Sequence, residues 1–382
     1  MIKGFVFFRN GRIPFVIKEY RMELFTDDEL LKEFSKEYNF KKDYTLQGQY
    51  FRNGVQGQSA TFLVEYSMGS TCYLRCYIIN TIASDGAYDT MGLQSPFLDD
   101  VFRYKYKYLD MVRSGTNLAV EPKDAYKIPF GMNDLAYELV FRIGHDNRLG
   151  LWEDFDRKGE LIVKLHTNKI QECYNIAMTL HRLAMFMTSH AEAPFKYITL
   201  YSNGLKAGWF YFPYASEEAL SAYAGLFHEL DVMKYVPKIL NNIAQDSGNR
   251  ITKSIPLGHL GNFESLVSPQ RFVEQIMAFE YLFDKLEHQK AQDTRFPLKS
   301  ELEYMFKKFP ELLTNPTLSA EKVSDEIKEL RRTITHGYAY YYDFKSDANA
   351  QYLMILLDRL IKKMSLKWIG FSKEDIETYP LY

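Results

Sequence analysis

The sequence predicts an α+β protein: a β-rich N-terminal part followed by an all-helical C-terminal part. Three observations carry that expectation. Over about the first 165 residues, short runs rich in β-branched and aromatic residues alternate with turn signals such as "RNG", "SMGS" and "SDG". Beyond Ser268 the apolar residues recur only at helical spacing. Between the two lies "DSGNRITKSIPLGHLGNFESLVSPQ" (Asp246 to Gln270), where no period survives and Gly and Pro accumulate. At 382 residues the chain suits two domains. The expected division is 1–245, a linker at 246–267, and 268–382.

The strand expectations, in order, are "GFVFF", "IPFVIKEY", "ATFLVEY", "CYLRCYII", "FRYKYKYL", "AYELVFRI" and "LIVKL". Within them "TDDELLKEF", from Thr26, has a capping residue and an acidic first turn, and so reads as a short helix. "LQGQ" (Leu46–Gln49) and "VQGQ" (Val55–Gln58) fit two edges of a hairpin or a Gly-bearing loop. A long helix is expected over "NKIQECYNIAMTLHRLAMFMTSH", where Ile170, Cys173, Ile176, Ala177, Leu180, Leu183 and Ala184 form one apolar stripe. His181 and His190 on it read as surface or capping histidines. Strands "KYITLY" and "GWFYFPY" follow, then helical material from Glu217 to about Gln245.

The helical part opens at Ser268-Pro269, a cap followed by proline at the first helical position, and carries Phe272, Ile276, Phe279, Phe283 and Leu286. A second helix from about Leu298 includes Leu302, Met305 and Phe306. A third, from about Ser319, aligns Val323, Ile327, Leu330 and Ile334 and stops at Gly337. The last, "ANAQYLMILLDRLIKKMSLKW", is apolar over much of its circumference and belongs at the centre of a bundle or in a dimer interface. Its Lys362, Lys363 and Lys367 read as a solvated face.

Composition narrows the function classes. A net charge of −2 disfavours a protein coated with basic surface, though not a local basic site. Aromatics at 16% supply core volume and flat faces on which bases can stack. Cys72, Cys76 and Cys173 lack zinc-like spacing, and the first two, on one strand face, are ~13 Å apart. They read as free thiols in a reducing compartment. "MIKGFVFFRNGRIPF" reads as a strand and turn rather than a leader, and no run reaches the ~20 apolar residues of a membrane span, so a cytoplasmic protein without membrane partners is expected. No P-loop, G-x-S-x-G, H-E-x-x-H or CxxC is present, and no cofactor or metal is expected.

One stretch concentrates functional groups: "EIKELRRTITHGYAYYYDF" (Glu326 to Phe344). Arg331 and His336 form R-x4-H at the end of the third helix. Glu280, one turn from Ile276, is expected to be partly buried and to need a cationic partner, and Arg331 is the best-placed one. Taken alone, His336 also reads as a helix-end histidine and Arg331 as a salt-bridge arginine. The chemistry of the pair is suggestive. Imidazole suits proton transfer near neutral pH, and guanidinium stays charged and grips two phosphate oxygens. Five residues of ideal helix turn ~500°, which leaves the two side chains ~140° apart, so bending at the helix end or a second copy is needed to make one cleft.

"LRRTITHG" resembles the R-x4-6-H motif of the HEPN superfamily of dimerising helical bundles. It is closer still to the "RNxxTHG" version in ApeA-type abortive-infection proteins, and "RFVEQIMAFEYLF" is similar to the family's "rFlxxxxalE" helix with Glu280 at the matching glutamate. The resemblance covers about 265–382. It implies a HEPN helical bundle at 268–382 and a regulatory or sensor role for 1–245. It also implies a metal-independent endoribonuclease of antiviral defence with Arg331, His336 and Glu280 as catalytic residues and Arg332, Thr335 and Tyr338 as RNA contacts. The implied partners are RNA, with transfer RNA as the substrate, a homodimer or higher even oligomer, and a phage-derived trigger. The chain departs from the family at Arg332, where Asn, Asp or His is usual. A non-catalytic HEPN module that binds RNA or protein is the other reading.

Overall fold

In the computed structural model the described residues are 1–51, 57–81, 87–94, 111–114, 117–120, 123–132, 135–145, 157–188, 195, 197–214, 235–246, 267–287, 297–313, 318–336 and 345–378. The chain divides into two compact units, Met1–His181 with Ala193–Ala222, and Arg182–Glu192 with Tyr223–Tyr382. The fold is therefore α+β, with strands concentrated in the first unit and helices in the second. Residues 236–245, assigned above to the N-terminal part, group with the C-terminal helices.

The first unit begins with β1 (Ile2–Phe8), β2 (Gly11–Lys18), β3 (Arg21–Leu24), α1 (Asp28–Tyr38), β4 (Tyr44–Phe51), β5 (Gln58–Met68) and β6 (Thr71–Asn80). Its six strands close into an antiparallel barrel in the order β1-β2-β3-β6-β5-β4, with β4 returning to β1. Alternation fills the inside: Ile13, Phe15 and Ile17 of β2 point inward while Arg12 and Lys18 stay out. The β1–β4 seam is tight. A Cβ at Gly4 would collide with the Gln49 carbonyl, and one at Gly48 with that of Phe5, so glycine is needed on both strands where they meet. The "QGQ" of β4 and the Gln58 that opens β5 are indeed the two arms of a hairpin.

Strand β6 has a second role. It pairs with β5 along its length, but its other edge is shared: Thr71–Tyr73 with β3 and Tyr77–Asn80 with β14 (Leu205–Tyr211). From that point an open sheet continues through β13 (Tyr197–Ser202), β7 (Tyr88–Gln94), β12 (Arg157–Thr167), β11 (Leu135–His145) and β10 (Lys123–Met132), all antiparallel. Strands β8 (Met111–Ser114) and β9 (Asn117–Val120) form a separate hairpin. The expected strand "FRYKYKYL" and residues 215–234 lie outside the described residues.

Helix α1 is seated on the barrel by Phe34, which is fully buried with its ring against Phe8 (5.3 Å) and Tyr38 (4.8 Å). Its N-cap is Asp27, whose carboxylate accepts from the Leu30 amide at 2.8 Å. Helix α2 (Ile170–Thr188) buries the whole expected stripe from Ile170 to Ala184. His181 corrects the sequence reading: it is buried and stacked on Tyr214 at 4.0 Å, because its neighbours Phe195 and Phe212 form an aromatic pocket no local pattern announces. His190 lies outside the described residues. The three cysteines are free and buried, and burial pushes Cys72 up to about 11 and Cys173 to about 12.

The second unit contains α3 (Val236–Gln245), α4 (Pro269–Glu287), α5 (Leu298–Lys308), α6 (Ala320–Thr335), α7 (Ala348–Ile369) and α8 (Lys373–Thr378). Helices α4 and α7 pack along one another, as do α5 and α6. Caps follow the sequence: the Ser268 hydroxyl accepts from Arg271, the Ser319 hydroxyl from Lys322, and Gly370 ends α7 in a left-handed conformation (φ 99°). Helix α7 is buried around most of its circumference. That burial takes in Lys362 and Lys363, which are not a solvated face. Lys362 pairs with Asp358 at 3.0 Å and Lys363 with Glu311 at 2.8 Å. No helix among the described residues is long and apolar enough to cross a membrane.

Removal of the Phe34 ring tests the seating of α1. Phe34→Ala is expected to destabilise the barrel by about 3–5 kcal/mol, read as a shifted urea midpoint for amide exchange of β1, β4 and β5.

Candidate functional site at the end of helix α6

Helix α6 forms because Val323, Ile327 and Leu330 fall on one buried stripe behind the Ser319 cap. Its last turn carries Arg331, Arg332 and Thr335, and His336 is the residue at which the helix stops. The His336 amide still donates to the Arg332 carbonyl at 3.1 Å, but its own backbone (φ −90°, ψ 14°) has left helical geometry. The side chain of His336 is exposed, and among the described residues its ring makes no hydrogen bond or ion pair.

Arg331 turns the other way, toward α4. Its Nη1 donates to Glu280 Oε1 at 3.2 Å, the partnership expected from the sequence, and both side chains are 39% exposed. A pair this wet contributes only about 0.2–1 kcal/mol. Its effect is positional: one guanidinium nitrogen is tethered, while Nε and Nη2 have no partner among the described residues and remain able to donate to an incoming anion.

The other expected contacts are distributed as follows. Arg332 is 68% exposed and pairs with Glu329 at 3.4 Å, one turn back on the same helix. Thr335 donates its hydroxyl back to the Arg331 carbonyl at 3.0 Å, one turn earlier on the same helix. Tyr338 lies outside the described residues, with Gly337 and the other tyrosines of that stretch. The structure thus brings Arg331 and Glu280 together and leaves His336 exposed at the same helix end, unpartnered among the described residues.

What fixes α4, and with it Glu280, is a residue the sequence reading passed over. Glu287, two turns further along α4, accepts from Lys308 of α5 and Lys367 of α7, each at 2.8 Å, and from the Tyr304 hydroxyl at 3.1 Å. Burial alone would raise this carboxyl. The hydrogen bonds and charges of the two lysines outweigh it and hold Glu287 below its ordinary value of 4.5. The signal was absent from sequence because its partners are distant along the chain. Nearer the start of α4, Arg271 contacts Glu274 at 3.4 Å, and full burial raises the Asp358 carboxyl despite Lys362 beside it. These are ion pairs inside the bundle, although Arg271 Nε and Nη2 and Asp358 Oδ1 are buried without a hydrogen-bond partner among the described residues.

Among the described residues, no three His, Cys, Asp or Glu side chains are grouped to hold a metal ion. No protein-family profile, curated protein or solved structure matches the chain.

The Glu287 hub gives a pH prediction. Because its pKa is lower in the folded chain, its stabilisation is present above the ordinary value of 4.5 and is lost as pH falls toward the folded value. Glu287→Gln is expected to destabilise the helical unit by about 1.5–3 kcal/mol at pH 7, and the difference from the parent should shrink in chemical denaturation below pH 4.5.

Proposed function

We propose that the end of α6 is the active site of a metal-independent, HEPN-type endoribonuclease. The observation that carries this reading is the Arg331 guanidinium, tethered to Glu280 through Nη1, on the same helix end as an exposed imidazole, with Nε, Nη2 and the imidazole unpartnered among the described residues. The resemblance of "LRRTITHG" and of the α4 sequence to HEPN proteins supports it.

The chemistry needs three things from the chain. His336 accepts the proton of a ribose 2′-hydroxyl, the resulting alkoxide oxygen attacks the adjacent phosphorus, and the 5′-oxygen of the next nucleotide leaves with a proton. Arg331 donates to the non-bridging oxygens as the phosphorane gains charge, in a position where Glu280 fixes its direction. The products are a 2′,3′-cyclic phosphate and a 5′-hydroxyl. The leaving-group proton requires a second acid, and the His336 of a second copy across a two-fold axis supplies it, which is why a homodimer or higher even oligomer belongs to the proposal. Arg332 and Thr335, both exposed at the same turn, contact the flanking RNA, with Tyr338 beside them in sequence.

Transfer RNA is the proposed substrate, since single-stranded loops present unstacked bases. The biological setting proposed is antiviral defence by abortive infection in the cytoplasm, with the N-terminal unit restraining or releasing the nuclease in response to a phage-derived trigger.

Purified protein incubated with total RNA in EDTA is expected to give discrete fragments. His336→Ala and Arg331→Ala should each lower the cleavage rate by at least ~100-fold, and Glu280→Gln by less, because it removes a tether and not a reacting group. RNA binding without cleavage by the parent chain would instead identify a non-catalytic module, with Arg332 in the place of the usual Asn, Asp or His.

A further inference from the structure

Phe40 stands where physical chemistry least favours it. It follows the C-cap of α1 in a left-handed conformation (φ 67°), a position normally given to glycine, and its side chain is 100% exposed. Packing therefore returns nothing for either the backbone conformation or the exposed ring. The turn that presents it is nonetheless held firmly. Tyr38 stacks on Tyr44 at 4.4 Å, the Lys41 amide donates to the Tyr38 carbonyl, and Asp43 pairs with Arg75 at 2.7 Å.

Below Phe40 a groove of about 500 Å³ runs along the outer face of α1, lined by Asp28, Leu31, Lys32, Ser35, Lys36 and Asn39. Lys32 and Lys36 are exposed, one helical turn apart, and form no ion pair among the described residues. Lys41 and Lys42 follow directly, also exposed, with the Lys41 ammonium over the Tyr38 ring at 5.2 Å. Of the carboxylates of α1, Asp28 lines the N-terminal end of the groove, Glu29 sits with it in the first turn, and Glu33 and Glu37 pair with Arg9. The C-terminal half of the groove is thus positive, rich in donors, and topped by a projecting aromatic ring.

We propose that this groove docks single-stranded RNA, with Phe40 stacking on a base and Lys32 and Lys36 holding successive phosphates. Charge complementarity selects an anion. A ring bare on both faces selects a flat partner, since it can insert between two bases, whereas a protein partner would have to bring its own apolar pocket to receive it. Ser35 and Asn39 supply hydrogen bonds to sugar and base edges. The inference borrows from the proposed function only the choice of RNA, and it concerns a surface of the N-terminal unit that takes no part in cleavage.

The test uses the full-length His336→Ala chain and a fluorescent twelve-nucleotide oligouridylate, with anisotropy followed against salt. Phe40→Asn, which suits the left-handed backbone, is expected to weaken binding by about 5–100-fold while raising the melting temperature of the barrel. Lys32→Ala with Lys36→Ala should flatten the salt dependence by about 1.4 logarithmic units, two phosphates' worth. No binding by the His336→Ala chain, or equal binding by Phe40→Asn, overturns the proposal. Binding of an acidic Glu/Tyr copolymer that Phe40→Asn abolishes, with oligouridylate unaffected, assigns the groove to a protein and overturns it too. Cleavage by the parent chain is scored separately. Loss of binding at Phe40 with no cleavage leaves the docking site standing and removes the nuclease, and cleavage with binding indifferent to Phe40 does the reverse.

Discussion

The contact between Arg331 and Glu280 is weak in energy and decisive in geometry. At half exposure it adds little to stability, yet it is the link through which the end of α6 is registered against the middle of α4. Without it a long, flexible guanidinium would sample many rotamers, and any donation to a phosphate would first have to order them. The anchor has its own foundation: Glu287 joins α4 to α5 and α7 through two lysines and a tyrosine. Two carboxylates, seven residues apart on one helix, thereby serve different ends. One is largely buried among cations and fixes the helix. The other is half exposed and lends its charge to a guanidinium whose Nε and Nη2 have no partner among the described residues.

The helical unit and the barrel solve their packing problems differently. In the bundle, buried charge is matched by buried charge, as at Asp358 with Lys362, so that α7 can run through the centre despite its polar residues. In the barrel the interior is apolar and aromatic, closed at one seam by two glycines and covered by a helix that inserts a single phenylalanine. Against that economy Phe40 is the exception, an aromatic residue kept in water by a turn that the Tyr38–Tyr44 stack and the Asp43–Arg75 pair hold in place.

Local physics made much of this legible in sequence. The stripes of α2, α4 and α6 and the caps at Ser268 and Ser319 were readable because helical period and capping are short-range. So was the need of Glu280 for a cation. Barrel closure was not, since it depends on β4 returning to β1 and on β6 pairing with β3, long-range choices with no trace in strand alternation. Lys362 was misread although its partner Asp358 lies one turn back on the same helix, and His181 was misread because the rings that bury it come from elsewhere in the chain. Glu287 had no signal for the same reason. The motif at Arg331 and His336 was legible as chemistry, but its spacing alone could not say that the arginine faces α4 while the histidine stands clear of it.

The most direct test of the account is the chemistry at the ends of the RNA fragments the purified chain leaves in the presence of EDTA. An imidazole and a guanidinium acting on a 2′-hydroxyl predict 2′,3′-cyclic phosphates and 5′-hydroxyls, read by mass spectrometry and by resistance to ligation until the ends are repaired. Fragments with 5′-phosphates and 3′-hydroxyls, formed only when a divalent cation is restored, would contradict it.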